Sequence, residues 1–435
     1  MPYTLPIVLP ARLIETHRVD LSAPYSTGWR VTAHDVAAAP CGDLYALYQL
    51  YRHGGGLAAD QTGPATGNFN YRIITRYAPD GVPLATALCC PSGAGAGEWA
   101  SAVVDGPDMT LCVLPDGLLS VNAHPDCTTL IAPDLSAVVG TYHTRGRQAF
   151  EEFAPGDPFA CSISVTPSGR LLCTTTEYGV QGYGNSLANI VGVADGPLTP
   201  DHKPSIQAVA AFDPEPAGQT QDDLRPHVLF DGQPVGLQNR PRPALREIFE
   251  PGRPISRWNL SELFRPAALS DELFVVPMRA RRGSRGGAFA FALVNDQAEQ
   301  KGRLLGMDPW ADSPFTGECF NVAAGGGHAF HLNRYGLFAW NADGTLAIKL
   351  STADKTFKPL TRFTLTTCSP AGELLLTHGE QHLVLRVPVP EDIADLGKSV
   401  ETALTAYRRE RAALKKTWTP IGWHWVQDGA AVHHL

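Results

Sequence analysis

Charge is scarce in this chain. Only 18% of its 435 residues are Asp, Glu, Lys or Arg, below the usual quarter of a soluble domain. The formal net charge is -8, so no overall positive field exists to hold nucleic acid. Long hydrophobic runs are missing too. None reaches the ~18–20 residues of a membrane span, and a membrane is not an expected partner. The opening MPYTLPIVLPARLIETHRVD has a Pro-broken apolar stretch and no basic start, unlike a signal peptide. Regular cysteine spacing is absent: the nine cysteines form an odd set and include the adjacent Cys89-Cys90, which argues against a secreted disulfide framework. The expectation is a cytoplasmic chain with reduced thiols, in which the sequon Asn259-Leu260-Ser261 is silent and the cysteines of LCVL and LLCT are small buried hydrophobes. Finally, there is no GxSxG, HExxH, P-loop or EF-hand loop. The Gly-rich GAGAGEW, Gly93 to Trp99, lacks the following helix of a nucleotide loop and reads as a linker.

Turn formers are plentiful. Gly (42) and Pro (36) exceed their usual share, and apolar runs recur between them, so they punctuate structure rather than dissolve it. RYAPDGVPLATAL, Arg76 to Leu88, reads as strand, tight turn, strand; AWNADGTLAIKL, Ala339 to Leu350, nearly repeats it. Further turns of this kind are CGD (Cys41 to Asp43), PDG (Pro115 to Gly117), PSG (Pro167 to Gly169) and PAG (Pro370 to Gly372). Each precedes an alternating or apolar run: LYALYQLY, LLSVNAH, RLLCTTT, ELLLTH. Other runs, such as ACSISV, LFVVPM, AFAFALV, LFAWN and LVLRV, fill the chain to about residue 389.

Twenty or more short strands overfill one sandwich or small barrel. Radial repetition of four-stranded antiparallel blades of about 40–50 residues holds them. The fold class is therefore all-β, a β-propeller with blades near 30–90, 98–140, 158–235, 255–308, 317–353 and 360–390. The two near-identical segments are then the hairpins between the last two strands of blades one and five. Two points stay open. LCVLPDGLLSV fits the first and second strands of blade two or its second and third, and HVLFDGQPVGL within 214–254 could belong to a seventh blade.

The C-terminus breaks the pattern. SVETALTAYRRERAALKK reads as a helix, with Ser399 as N-cap, Glu401 in the first turn, and Val400, Leu404, Tyr407 and Leu414 on one stripe. The following WTPIGWHWVQDGAAVHHL alternates like a strand. The organisation expected is a propeller over 1–392, a helix over 393–416 and a closing strand over 417–435. That strand would pack back on the propeller, against LPIVLP or ARLIETHRVDL.

The turn and strand spacing resembles the β-propeller superfamily, with WD40-like or NHL-like blades, over most of the chain. No Trp-Asp dipeptide, Asp-box or kelch double glycine recurs, so no narrower family is named. The resemblance implies binding on one face, and some propellers are enzymes with central-channel ligands.

Candidate site residues follow from the phasing. The second strand of each blade ends at or near a polar residue: His53, His124, Glu177, Arg279, Asn333 and His378. Such ends emerge on one face, which also carries the longest inserts. There EYGVQGYGNSLAN offers Glu177 and Tyr178. RARRGSR offers Arg279, Arg281, Arg282 and Arg285, suited to carboxylate or phosphate. HGEQH, His378 to His382, could contribute two imidazoles to a metal, or be no more than a polar hairpin. The basic helix residues Arg408, Arg409, Arg411, Lys415 and Lys416 read as a solvated face. The expected function is a recognition module for a protein partner or small anionic ligand. The alternative is a metal-assisted lyase or hydrolase using His53, His124, Glu177 and His378. No cofactor is identifiable.

Overall fold

A computed structural model of the protein describes residues 2–4, 7–8, 29–52, 69–89, 110–124, 127–143, 161–177, 188–197, 199–200, 206–212, 229–230, 233–234, 258–282, 285–296, 300–309, 321–378, 383–417, 425–426 and 431–434. Six antiparallel blades account for most of them. Blade one is Trp29–Ala38, Leu44–Arg52, Phe69–Tyr77 and Pro83–Cys89. Blade two is Thr110–Val113, Leu119–His124, Cys127–Ile131 and Val138–His143. Blade three is Cys161–Val165, Arg170–Glu177, Ala188–Pro197 and Ile206–Phe212. Blade four starts with a split strand, Trp258–Leu263 and Ala267–Ala268, followed by Leu273–Arg282, Arg285–Asn295 and Gln300–Arg303. Blade five is Val322–Gly325, His328–Asn333, Gly336–Asn341 and Leu346–Ser351. Blade six takes Thr364–Cys368, Glu373–His378 and Leu383–Pro388 from the end of the propeller, and Pro2–Thr4 from the start of the chain as its outer strand.

The first strand of each blade touches the first strand of the next, from blade one through blade six and back to blade one. These strands therefore ring a central axis, and the chain is a six-bladed β-propeller. Both open points resolve. LCVL and LLSV are the first and second strands of blade two, and within 214–254 the described residues hold only the two-residue pair Leu229–Phe230 and Gln233–Pro234.

Because each blade is covered on both faces, its strands need apolar residues at successive positions, not only alternate ones. Strand Arg285–Asn295 shows how a period of two serves two interfaces. Ala288, Ala290, Ala292 and Val294 face the cluster shared with blade three, which holds Leu172, Val191 and Val193. Phe289, Phe291 and Leu293 face the cluster shared with blade five, which holds Phe338 and Trp340. Phe289, Phe291, Phe338 and Trp340 are at most 1% exposed. Burial of each such ring stabilises by roughly 1.5–3 kcal/mol.

The six tight turns read from the sequence share one geometry. At RYAPDGV the Ala78 N–H donates to the Val82 carbonyl at 2.8 Å and the Gly81 N–H to the Ala78 carbonyl at 2.8 Å. The same pair of bonds joins Ala39 to Asp43, Leu114 to Leu118, Thr166 to Arg170, Asn341 to Thr345 and Ser369 to Glu373. Gly42, Gly81, Gly117, Gly169, Gly344 and Gly372 all have φ between 75° and 93°. This is a type I turn closed by a residue in the left-handed region, where a β-carbon is costly. In blade two the turn between the last two strands puts Leu135 there instead, at φ 64°. Its side chain is fully buried in the core between blades one and two, which offsets the backbone strain.

The helix α1 runs Leu396–Thr417, four residues longer at its start than Ser399 as N-cap would allow. A short 3-10 turn, Ile393–Asp395, leads into it, and the Asp392 carboxylate accepts the Ala394 N–H at 3.0 Å. Asp392 caps this 3-10 turn, which runs directly into α1, and Ser399 lies inside the helix. Leu396, Val400, Ala403, Leu404 and Tyr407 bury against blades five and six. Beyond α1, Trp425 and Val426 pair in parallel with Ile7 and Val8, and Ala431–His434 pairs in parallel with Ala85 to Leu88 on the outer strand of blade one.

Candidate functional site

Antiparallel connectivity sorts the connections onto two faces. Turns between first and second strands, and between third and fourth, lie on one face. Connections between second and third strands, and between blades, start and end on the other. The described strand ends that flank 53–68, 90–109, 144–160, 178–187 and 213–257 all lie on this second, loop-bearing face. The turn face is built from short links such as 39–43, 78–82, 114–118 and 369–372.

The turn face is joined blade to blade. The Tyr45 hydroxyl donates to the Pro133 carbonyl at 2.8 Å, linking blades one and two, and burial pushes its own titration up to about 12. The Ser168 N–H donates to the Asp271 carboxylate at 2.9 Å, linking blades three and four. The Leu305 N–H donates to the Gly344 carbonyl at 2.8 Å, linking blades four and five.

The candidate residues are placed as follows. His124 and Glu177 are the last residues of the second strands of blades two and three, on the loop-bearing face. Arg279, Arg281 and Arg282 lie along the second strand of blade four and Arg285 begins its third. In register, Arg282 stands opposite Arg285 and Arg281 opposite Gly287. His53 and Tyr178 lie outside the described residues. Asn333 ends the second strand of blade five; it is buried, and its side-chain oxygen accepts the Tyr335 N–H at 2.9 Å. His378 ends the second strand of blade six, but its ring is inside the protein at 5% exposure. Phe363 meets it edge-on at 5.4 Å between centroids, and Tyr407 of α1 lies 6.3 Å away. The helix therefore covers this imidazole.

Sequence reasoning missed Arg334 and Tyr335, which form the tight link between the second and third strands of blade five. The Arg334 guanidinium carbon sits 4.6 Å from the Tyr335 ring centroid, and an Nη2 hydrogen bond reaches the Tyr335 hydroxyl at 2.5 Å. An Arg-Tyr step at a strand-end turn was the available signal. This adds a guanidinium to the loop-bearing face on the blade next to the arginine hairpin.

Sequence reasoning also missed a buried histidine between blades four and five. His331 is fully buried, with Phe291 and Phe289 at 4.9 and 5.4 Å between centroids. Its Nδ1 lies 2.8 Å from the Asn321 carbonyl, so the neutral ring donates there. Burial pushes its pKa down to about 4.

The described cysteines split by location. Cys112 on an inner strand is buried and Cys41 in the CGD turn is exposed, while burial pushes the Cys368 thiol up to about 12. Among the described residues, no group of three or more His, Cys, Asp or Glu side chains is placed to hold a metal, and no helix is long and apolar enough to cross a membrane.

No family model matches the chain, and no curated protein matches it. Among solved structures it is similar to the Dos1 propeller at 9% identity over 80% of each chain, with a TM-score of 0.29. The assignment to the propeller class rests on this chain's own ring of six blades.

Proposed function

We propose that this propeller is a recognition module that takes an acidic protein segment on its loop-bearing face, at the arginine hairpin of blade four. The observation that supports this reading is the register of Arg282 opposite Arg285. Like charges opposed across a strand pair destabilise it by a few tenths of a kcal/mol to about 1 kcal/mol. Arg279 and Arg281 lie on the same short hairpin, in a chain whose net charge is -8. An anionic partner would relieve the repulsion and gain charge-assisted bonds of roughly 1.5–3 kcal/mol each before desolvation. Glu177, Tyr178, His53 and His124 are proposed as further contacts across the face. His378 would act indirectly, by seating α1.

The test is fluorescence anisotropy with a labelled Glu-rich peptide at low and high salt. Binding should weaken at least tenfold in the double variant Arg281→Ala/Arg282→Ala, while the melting temperature is not lowered, because the opposed Arg282 and Arg285 no longer repel. Arg408→Ala/Arg409→Ala on α1 should weaken it less. No binding to the wild-type protein, or equal loss in both variants, would place recognition elsewhere.

A further inference from the structure

The propeller axis holds an ion pair. Asp35 belongs to the first strand of blade one, and Arg265 to the interruption in the first strand of blade four, on the opposite side of the six-blade ring. Arg265 Nη1 lies 2.5 Å from Asp35 Oδ2. Only 3% of Asp35 and 8% of Arg265 is exposed. Two residues on opposite sides of a ring can touch only by reaching across its centre.

The local backbone is shaped for this contact. A register irregularity between Ala33 and Asp35 interrupts the pairing of blade one, and such bulges re-aim side chains. In blade four the first strand breaks between Leu263 and Ala267, where Phe264, Arg265 and Pro266 intervene. The break is pinned on both sides: the Phe264 N–H donates to the Pro277 carbonyl at 3.0 Å, and the Phe264 carbonyl accepts the Thr174 hydroxyl of blade three at 2.9 Å.

The pair also completes blade two. An innermost strand has no neighbour on its axial edge, so the N–H and C=O groups there need other partners. At Leu111 both are supplied from the axis. Its N–H donates to Asp35 Oδ2 at 2.8 Å, and its carbonyl accepts from Arg265 Nη2 at 3.1 Å. Asp35 Oδ1 takes the Val36 N–H at 3.0 Å, and Arg265 Nη2 also lies 3.2 Å from the Cys112 thiol. The carboxylate thus accepts from two backbone N–H groups and the guanidinium, an arrangement that would suit any small carboxylate.

We propose that Arg265 and the Leu111 backbone form an axial carboxylate site that the chain fills with its own Asp35, and that this occupancy closes the centre of the ring and ties blades one, two and four together. The proposal is independent of the loop-bearing face. It makes the axis a self-liganded latch rather than an open conduit.

Chemical rescue tests it. Asp35→Ala removes the carboxylate and leaves Arg265 facing a cavity. Its melting temperature should fall by roughly 5 °C or more, and labelling of Cys112 by a thiol reagent, followed on its own peptide by mass spectrometry, should accelerate at least tenfold. Formate at tens of millimolar should recover at least half of the lost melting temperature and slow the labelling, whereas chloride at equal ionic strength should not. Wild type and Arg265→Leu should not respond to formate. A variant as stable as wild type, or destabilisation that formate leaves unchanged, would overturn the proposal. If Asp35→Ala does not fold, Asp35→Asn keeps the shape without the charge. Faster Cys112 labelling in that variant supports the latch and unchanged labelling overturns it.

Discussion

The two faces of the ring are built from the same strands but obey different constraints. On the turn face, links are short, six share one hydrogen-bond pattern with a left-handed glycine, and neighbouring turns touch. A β-carbon on Gly169 would meet Pro115 of the blade-two turn at 2.8 Å, and one on Gly344 would meet the Arg303 carbonyl oxygen at 2.5 Å. On the loop-bearing face, strand ends lead into connections as long as 213–257, and the terminal strand positions there include Arg282, Arg285, Glu177 and His124. The difference teaches where the chain holds its blades together: among the described residues the turn-to-turn bonds and close approaches gather on one side, while the long connections leave from the other.

That contrast can be broken first at Gly344. Gly344→Val adds a left-handed penalty of about 1–2 kcal/mol to overlap with the Arg303 oxygen and with Leu293 Cδ1 at 2.9 Å. Denaturant titration should show a loss of about 4 kcal/mol, near the top of the range for single substitutions. A loss below about 1 kcal/mol would mean that blade four does not grip this turn.

The seam between blades four and five should be sensitive to acid. The His331 pKa is about 4 in the folded protein against 6.5 for a free imidazole, so the unfolded chain binds the proton first as pH falls. Stability from the neutral ring is complete above about pH 6.5 and is lost progressively toward pH 4, by at most about 3 kcal/mol. His331→Gln, which keeps a donor for Asn321, should flatten the pH dependence of the urea midpoint between pH 7 and pH 5. An unchanged slope would assign the acid sensitivity to another group.

Both chain ends add strands to outer blade edges, Pro2–Thr4 on blade six and Ala431–His434 on blade one. Truncation after Lys416 removes the strands that pair with Ile7–Val8 and Ala85–Leu88. With net ladder bonds of roughly 0.5–1 kcal/mol each, the loss should be about 2 kcal/mol, read as a lower melting temperature and poorer solubility. An unchanged melting temperature would make the tail dispensable for closure.

The smallest effects sharpen the contrast. Gly372 has φ 75° like the other turn glycines, but a β-carbon there meets nothing within 4 Å. Gly372→Ala should therefore cost only about 1–2 kcal/mol, the conformational part alone. Lengthening 53–68 by four Gly/Ser residues on the loop-bearing face should cost at most about 0.6 kcal/mol in closure entropy. A larger loss would show that this connection is part of the scaffold.

The sequence by itself determined the blades. Strand runs and Asp-Gly turns act over a few residues, so their chemistry is visible locally, and the matching segments at 76–88 and 339–350 do join the third and fourth strands of blades one and five. The arginine hairpin was legible for the same reason, since Arg279, Arg281, Arg282 and Arg285 sit together in the chain. What only the tertiary structure decided involves partners far apart in sequence or competing local choices. Asp35 and Arg265 are 230 residues apart, and neither flanking sequence announces a charge meant for burial. Ser399 looked like a cap, but Asp392 stands before a 3-10 turn that extends the helix backward. His378 reads as an exposed hairpin residue until α1 folds over it and places Tyr407 beside the ring. Pro2–Thr4 gives no sign that it completes blade six, because a three-residue strand is specified by the edge it pairs with. Local geometry names the parts; which parts meet across the ring depends on burial and pairing that exist only once the six blades close.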